Sequence, residues 1–327
     1  RALTALGPRA AATPGSEQAR AYIRSELEKI GLDVEERRAQ GPLGSDGLPQ
    51  ELVNLVAVVP GASEQLFVLV APYDTRSFDG FRFVGANDGA SAPALLLELA
   101  RVIQARPLAY TTWFVFLDRE APPAGDPDPA ANPVLGGSTV LAQDLVVKGD
   151  KSSVRLVVAF HQVGDADLRI ARDLRSHRLF REEFWMAAAR LGHSDVFRSD
   201  DRFESPLGSH LPFILMGFRG AVLITDPSYG GDEPPGTHAN SEDDTEEHCS
   251  PQSLATVGEV TLEALDRIGE RLAKIDRFAK KPAPPPPPPA PSEAPPEPEP
   301  TAAQSVPSPS PETPPSETPP EPTPPEP

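Results

Sequence analysis

The sequence predicts an α/β fold: a three-layer, mostly parallel twisted sheet with helices on both faces. Three observations carry this. Short apolar runs of strand length alternate with amphipathic segments at helical spacing. The runs at 112–117 (Thr-Trp-Phe-Val-Phe-Leu) and 154–160 are largely apolar, as strands buried on both faces are. Polar residues cluster just past the ends of these runs, where ligands collect in open parallel sheets.

Taken in order, residues 16–30 read as a helix. Ala19, Tyr22, Ile23, Leu27 and Ile30 share one face. Ser16 stands as N-cap, Glu17 opens the first turn, and Gly31 sits at the C′ position. Strands follow at 52–59 and 66–71, with Pro60-Gly61 marking the turn between them. Residues 92–104, rich in Leu and Ala, form the next helix, and 112–117 the next strand. Residues 121–136 are dense in Pro, Ala and Asp and read as a loop. A strand at 154–160, a helix at 177–191, a strand at 221–225 and a long helix at 251–274 complete the pattern. There is no internal repeat.

Composition divides the 327 residues in two. Of 42 prolines, 23 lie in 281–327, including the unbroken run from Pro284 to Pro289. That stretch has no aromatic residue and one large aliphatic, Val306. It cannot bury enough apolar surface to offset chain entropy. A disordered Pro/Glu-rich tail with polyproline-II character is expected for 281–327. Residues 1–280 are left for the folded domain.

The net charge of −18 excludes some partners. The tail holds seven Glu and Lys281, a net of −6, so the folded part carries −12. Nucleic acid is not expected as a partner, because binding it rests on Lys and Arg neutralising phosphates. No run of 18 apolar residues suggests a membrane span. The chain begins at Arg1, as a trimmed chain or one with a processed targeting segment would. Cys249 is the only cysteine, so no internal disulfide forms.

The strand ends hold the candidate chemistry. Pro72-Tyr73-Asp74-Thr75 follows one strand. Gly85-Ala86-Asn87-Asp88-Gly89-Ala90-Ser91 precedes a helix. Asp118-Arg119-Glu120-Ala121 and His161-Gln162-Val163-Gly164-Asp165 follow two more strands, and Thr237-His238 precedes Asp243-Asp244-Thr245. Carboxylates and histidines converging at strand ends suit a zinc site. Spacing alone fits helix caps and surface histidines equally well. His210 reads as a pocket residue or a helix-start contact. His177, His193 and His248 read as surface residues, Trp113 and Trp185 as core. Cys249, before Ser250-Pro251, reads as structural.

The wording of these segments resembles the zinc-dependent aminopeptidase and glutaminyl cyclase family over roughly residues 1–275. Gly85 to Ser91, followed by Leu95-Leu96-Leu97-Glu98-Leu99-Ala100-Arg101, is similar to the family's signature stretch. Asn54-Leu55-Val56-Ala57-Val58-Val59-Pro60-Gly61 is similar to its opening strand. Gly137-Ser138 resembles its helix start, and His210-Leu211-Pro212-Phe213 its His-x-Pro-Phe segment. Asp244-Thr245-Glu246 resembles its C-terminal end. Asp79, Gly80, Phe81 and Phe83 lean towards the cyclase branch.

The resemblance implies a zinc-exopeptidase-like sheet and, in the peptidases, two zinc ions on five ligand positions. The bridging aspartate falls at Asp88. A histidine position falls at Pro72, and the Glu-Glu pair of base and ligand at Glu120 and Ala121. A further aspartate position falls at His161, and the last histidine at His238, with longer than usual spacing to Asp244. Asp74 would orient the histidine that Pro72 replaces, or else cap or pair with Arg76. The family often has an aspartate where Ser209 stands.

A catalytic zinc needs about three protein ligands and a water. Asp88 with His161, or Asp88 with His238, supplies two. The donor count thus argues against a two-zinc site and leaves no ion, or one held jointly by Asp88, His161 and His238 beside Glu120. The reading preferred from sequence is a pseudoenzyme that binds peptide or protein N-termini, or acts as a scaffold. The alternatives are an active aminopeptidase or glutaminyl cyclase with a rearranged one-zinc site, and an envelope module with a spacer tail. Export is expected from the family and the tail. The tail itself would meet proline-recognising or envelope partners.

Overall fold

Apolar runs build the centre of the sheet, and charged segments build its edge. A computed structural model describes residues 1–43, 49–121 and 136–279. In chain order the first elements are α1 (Ala2–Ala5), α2 (Pro14–Lys29), β1 (Val34–Leu43), β2 (Pro49–Val59), β3 (Ser63–Pro72), α3 (Ser91–Ala105) and β4 (Tyr110–Leu117). Then come α4 (Gly137–Val147), β5 (Val154–His161), β6 (Ile170–Asp173), α5 (Arg178–Leu191), β7 (Phe197–Phe203), α6 (Leu211–Leu215), β8 (Ala221–Thr225) and α7 (Pro251–Ala279). All belong to the unit Arg1–Lys280, and the second unit, Lys281–Pro327, lies outside the described residues with the expected tail. The loop expected at 121–136 also falls mostly outside them.

The main sheet runs β1-β2-β4-β3-β5-β8. Strands β4, β3, β5 and β8 run parallel to one another, while β1–β2 and β2–β4 are antiparallel. The side-chain period of two divides each central strand between two cores. Phe67, Leu69 and Ala71 of β3 face one core, Val68 and Val70 the other. Strand β4 repeats this with Phe114 and Phe116 against Val115 and Leu117. The first core is closed by α2, α3, α5 and α7, with Ile23, Leu96, Phe184 and Ile268 fully buried. The second is closed by α4 and α6 through Leu141, Leu145 and Phe213. This is the expected three-layer arrangement.

Helix α7 shows why these layers hold. Val257, Val260, Ala264, Leu265, Ile268 and Leu272 recur at three- and four-residue steps, and all are buried. Each large one contributes about 1.5–3 kcal/mol on burial. Helix α2 begins two residues before the expected start. Thr13, not Ser16, is its N-cap: the Thr13 hydroxyl accepts the Ser16 N–H at 3.4 Å, and Pro14 takes the first turn. Gly31 follows at φ 81°, as a C′ residue does.

Strand β1 is absent from the sequence expectation because it is an edge strand built of charges. Its Glu35, Glu36, Arg37 and Arg38 carry no apolar alternation. They pair instead, Arg38 with Glu51 at 2.9 Å and Arg24 with Glu36 at 2.5 Å, and Arg37 lies over the Trp113 ring. Charges of this kind guard an open edge. Strands β6 and β7 form a separate two-stranded parallel pair, and β7 (Phe-Arg-Ser-Asp-Asp-Arg-Phe) again lacks an apolar run.

Candidate functional site

The parallel strands β3, β4, β5 and β8 end at one rim, and a cavity of about 670 Å³ opens there. Pro72, Asp74, Asp88, Glu120, Ala121 and His161 all line it, so the structure brings together most residues singled out from the sequence. A second cavity of about 590 Å³ lies between α2, α3 and α7 and holds none of these groups.

Asn54 and Asp118 fix the β4 end of the rim. Asn54 accepts the Asp118 N–H at 3.0 Å and donates to the Gly137 carbonyl at 2.9 Å. The approach is close enough that a Cβ on Gly137 would stand 2.4 Å from Asn54 Oδ1, so only glycine fits where α4 begins. Asp118 in turn accepts the Val53 N–H at 2.9 Å.

Asp74 is buried just past the end of β3. Its two oxygens accept the Glu120 and Ala121 backbone N–H groups at 3.1 and 3.0 Å. It therefore caps the strand-end turn, one of the roles expected for it. Burial and the neighbouring Asp118 push its pKa up to about 8, against the pull of those two N–H groups.

Glu120 is buried, and its carboxylate is held from two sides. Oε1 accepts the Ser138 N–H at 2.8 Å and Oε2 the Ser138 hydroxyl at 2.9 Å. Ser138 stands in the first turn of α4, where a helix favours a negative charge. The Ser209 hydroxyl also donates to Oε2. Burial raises the Glu120 pKa in spite of these donors. On its other side Ser209 Oγ lies 2.8 Å from His161 Nε2. Glu120, Ser209 and His161 thus form one continuous chain. His161 is half-buried at the end of β5. Burial, together with the nearby His210, pushes its pKa down to about 3, so the ring is neutral.

Asp88 also lines the cavity. The Asn87 and Asp88 N–H groups donate to the Asp244 carboxylate at 2.6 and 3.1 Å, which ties the Gly85–Ser91 stretch to the loop before α7. Burial and the Asp244 charge push the Asp88 pKa up to about 7, although Arg9 and Arg76 oppose this.

His238 is not brought to this cavity. Its ring lies 5.3 Å from that of Tyr229 and stacks on His248 at 3.8 Å. That loop lines the cavity with Pro227, Pro234, Pro235 and Asn240, the last in left-handed backbone at φ 57°. Asn240 lies two positions after the histidine, and only the structure distinguishes them. His210 does not line the cavity either. It is fully buried, with Nε2 2.9 Å from Asp173 Oδ2, and it precedes α6. Cys249 is not activated by the helix behind it: burial and Asp244 push its thiol up to about 12.

Two functional-looking groups had no signal in the sequence. Arg9 is wholly buried, and its guanidinium donates to the carbonyls of Leu3, Gly7, Tyr73, Val84 and Gly85. Asp173, at the end of β6, collects His210, Ser176 and the Ser205 N–H. Neither sits in a motif, because the partners are scattered backbone groups.

A three-layer sheet with a carboxylate-lined cavity at its parallel strand ends defines the zinc-exopeptidase class of α/β domain. The chain belongs to peptidase family M28, whose model matches residues 54–265. In structure it is similar to a glutaminyl cyclase from an Acidobacteriales bacterium, with a TM-score of 0.74 and 29% identity over 82% of this chain and 91% of that one. It shares its fold with a Zn-dependent exopeptidase from Parabacteroides distasonis, at a TM-score of 0.71 and 22% identity over 80% and 94%. In sequence it is 32% identical over 122 residues to a glutaminyl-peptide cyclotransferase-like protein of Bos taurus. That alignment spans 33% of this chain and 30% of the relative's length.

Zinc is the metal named for the exopeptidase neighbour. In this chain no three His, Cys, Asp or Glu side chains among the described residues gather closely enough to hold an ion. Three of the donors that line the cavity are engaged elsewhere, Asp74 by two backbone N–H groups, Glu120 by two serines and His161 Nε2 by Ser209, which leaves the carboxylates of Asp88 and Glu204. Pro72 and Ala121 have no ligand atom. The described residues do not fit a catalytic zinc, which needs about three protein ligands.

Proposed function

We propose that the chain is a non-catalytic member of family M28 whose strand-end cavity binds a ligand without cleaving or cyclising it. One observation carries this reading: the Glu120 carboxylate is occupied by Ser138 and Ser209, while Pro72 and Ala121, which line the same cavity, offer no ligand atom. A general base must reach the proton it takes. Without an ion, no water is acidified and no oxyanion is stabilised, which removes the largest catalytic contributions. Peptide or protein N-termini are the ligands this reading favours, with scaffolding as its other role. Export, and contacts of the tail with proline-recognising or envelope partners, belong to the same reading.

The deciding experiment is zinc stoichiometry by elemental analysis of the full chain after zinc loading and dialysis. Aminopeptidase and glutaminyl-cyclisation assays are run beside it. The expected result is near-zero zinc and no turnover above buffer. About one zinc per chain with turnover would instead establish a rearranged one-ion enzyme.

A further inference from the structure

The amino ends of β5 and β8, opposite the cavity, form a second rim. Helix α4 ends at Val147, and a turn at Asp150–Ser152 carries the chain into β5. Helix α6 ends at Leu215, and the chain enters β8 at Ala221. The connection from β6 to α5 reaches the same place, because the His177 N–H donates to the Ala221 carbonyl at 2.8 Å. Lys151 Nζ donates to the Met216 carbonyl at 2.7 Å, which sets the ends of α4 and α6 side by side.

Two properties coincide at this rim. The first is exposed apolar surface. Single exposed aliphatics are ordinary on a folded protein. Here Leu215 is 85% exposed, Val147 84% and Leu179 57%, the three most exposed large hydrophobic residues among those described. Leu174, between β6 and α5, is 48% exposed. The second property is charge. Segments 147–153, 174–179 and 215–220 hold five Lys or Arg and a single acid, Asp150, in a domain whose net charge is −12. Arg175, Arg178 and Arg219 are exposed, and no ion pair holds them to a described residue. Elsewhere Arg24, Arg38, Arg101 and Arg169 each meet a carboxylate.

Aliphatic tips among unpaired arginines match the boundary between water and anionic lipid. There the tips enter the acyl region and the guanidinium groups meet phosphates. A protein partner calls for a contiguous, aromatic-rich centre. These tips stand on three separate segments, which a fluid apolar medium accepts and a packed interface does not. The acidic charge of the whole domain does not forbid such contact, because charges more than about 8 Å apart are screened at physiological salt. We infer that this rim docks on an anionic lipid bilayer, with Val147, Leu179 and Leu215 entering its apolar boundary and Arg175, Arg178 and Arg219 holding lipid phosphates. The cavity then opens away from the bilayer, at the carboxyl ends of the same strands. The inference stands whether or not that cavity holds an ion.

The test is co-sedimentation of the full chain with two kinds of vesicle: phosphatidylcholine alone, and equal parts phosphatidylcholine and phosphatidylglycerol. The chain should pellet with the mixed vesicles only, and high salt should release it. Each arginine at an anionic surface contributes about fivefold in binding. Arg175→Gln, Arg178→Gln and Arg219→Gln together should therefore weaken it roughly a hundredfold. Val147→Ser with Leu215→Ser should weaken it at least about tenfold. All five side chains are exposed, so the urea midpoints of both variants should match the wild type. The comparison of the two vesicles needs no variant, so a misfolded one does not blunt the test. No binding to the mixed vesicles, equal binding to both kinds, or a triple variant that binds like the wild type would each overturn the inference. Binding to polyglutamate or duplex DNA, with the serine variant as tight as the wild type on the mixed vesicles, would assign the rim to an acidic macromolecule and overturn the lipid assignment.

Discussion

His210 Nε2 lies 2.9 Å from Asp173 Oδ2, and both side chains are sealed from solvent. Burial raises the Asp173 pKa, but His210, Ser176 and the Ser205 N–H outweigh it and hold the carboxyl at about 2, below its ordinary 3.8. A depressed carboxyl pKa stabilises the fold above the unfolded value and loses that contribution as pH falls through the folded one. The window is therefore pH 4 down to about 2, and the shift corresponds to about 2 kcal/mol. Asp173→Asn should lower stability by about that amount at pH 7 and flatten the acid limb of the stability curve. Urea unfolding at a series of pH values checks this. An unchanged acid limb would assign the pair no role in acid sensitivity.

Above that window the slope should reverse. Burial pushes Asp74 up to about 8, Asp88 to about 7 and Asp226 to about 6. Each then holds a proton in the folded state at pH values where the unfolded chain has released it. More protons bound to the native state means that stability falls as pH rises. In EDTA the protein should therefore gain stability as pH drops from about 8 towards 4, before the Asp173 loss begins. Thermal melts across this range read the sign directly. A flat or rising profile between pH 5 and 8 would mean that donors or ions compensate these carboxylates.

Arg9 offers a sharper stability test. Five backbone carbonyls from four segments converge on one guanidinium that has no solvent contact. Arg9→Met would leave those carbonyls buried without donors. Removing a buried hydrogen-bonded ion costs roughly 3–5 kcal/mol. Arg9→Lys should recover little of this, since three donors on a flexible stem cannot match the planar fork. Urea midpoints of the two variants decide it. A Lys variant as stable as the wild type would show that charge matters more than geometry.

The central strands and helices were legible because burial writes itself into the sequence as period. Strand β8 and helix α5 end at the residues where their apolar patterns end. Strand β1 was invisible for the opposite reason: edge charges replace alternation. At the site, Asp88, Glu120 and His161 stood out because they follow or precede apolar runs. Asn240 did not, because a loop has no period to count along and His238 lies two residues away. Arg9 and Asp173 were hidden because their partners are backbone groups, which every sequence contains.

These positions define a rebuilding experiment. Pro72→His, Ala121→Glu, His161→Asp and Asn240→His would return ligand-capable groups to four positions that line the cavity around Asp88 and Glu120. His161→Asp also removes the imidazole that now meets Ser209, which frees that hydroxyl for Glu120 alone. With three added donors, a carboxylate in place of the imidazole at 161, and Asp88, three or more ligands per ion become available, the number a catalytic site requires. The fourfold variant should bind about one to two zinc ions per chain, more than the near-zero expected of the wild type. Peptidase or cyclase turnover should appear only with zinc present. Variants lacking either Ala121→Glu or Asn240→His should lose most of the gained zinc, because each is needed to reach three ligands. Zinc binding without turnover would place the remaining obstacle at Glu120, still held by Ser138. No zinc in the fourfold variant would mean that the cavity has changed shape as well as residues.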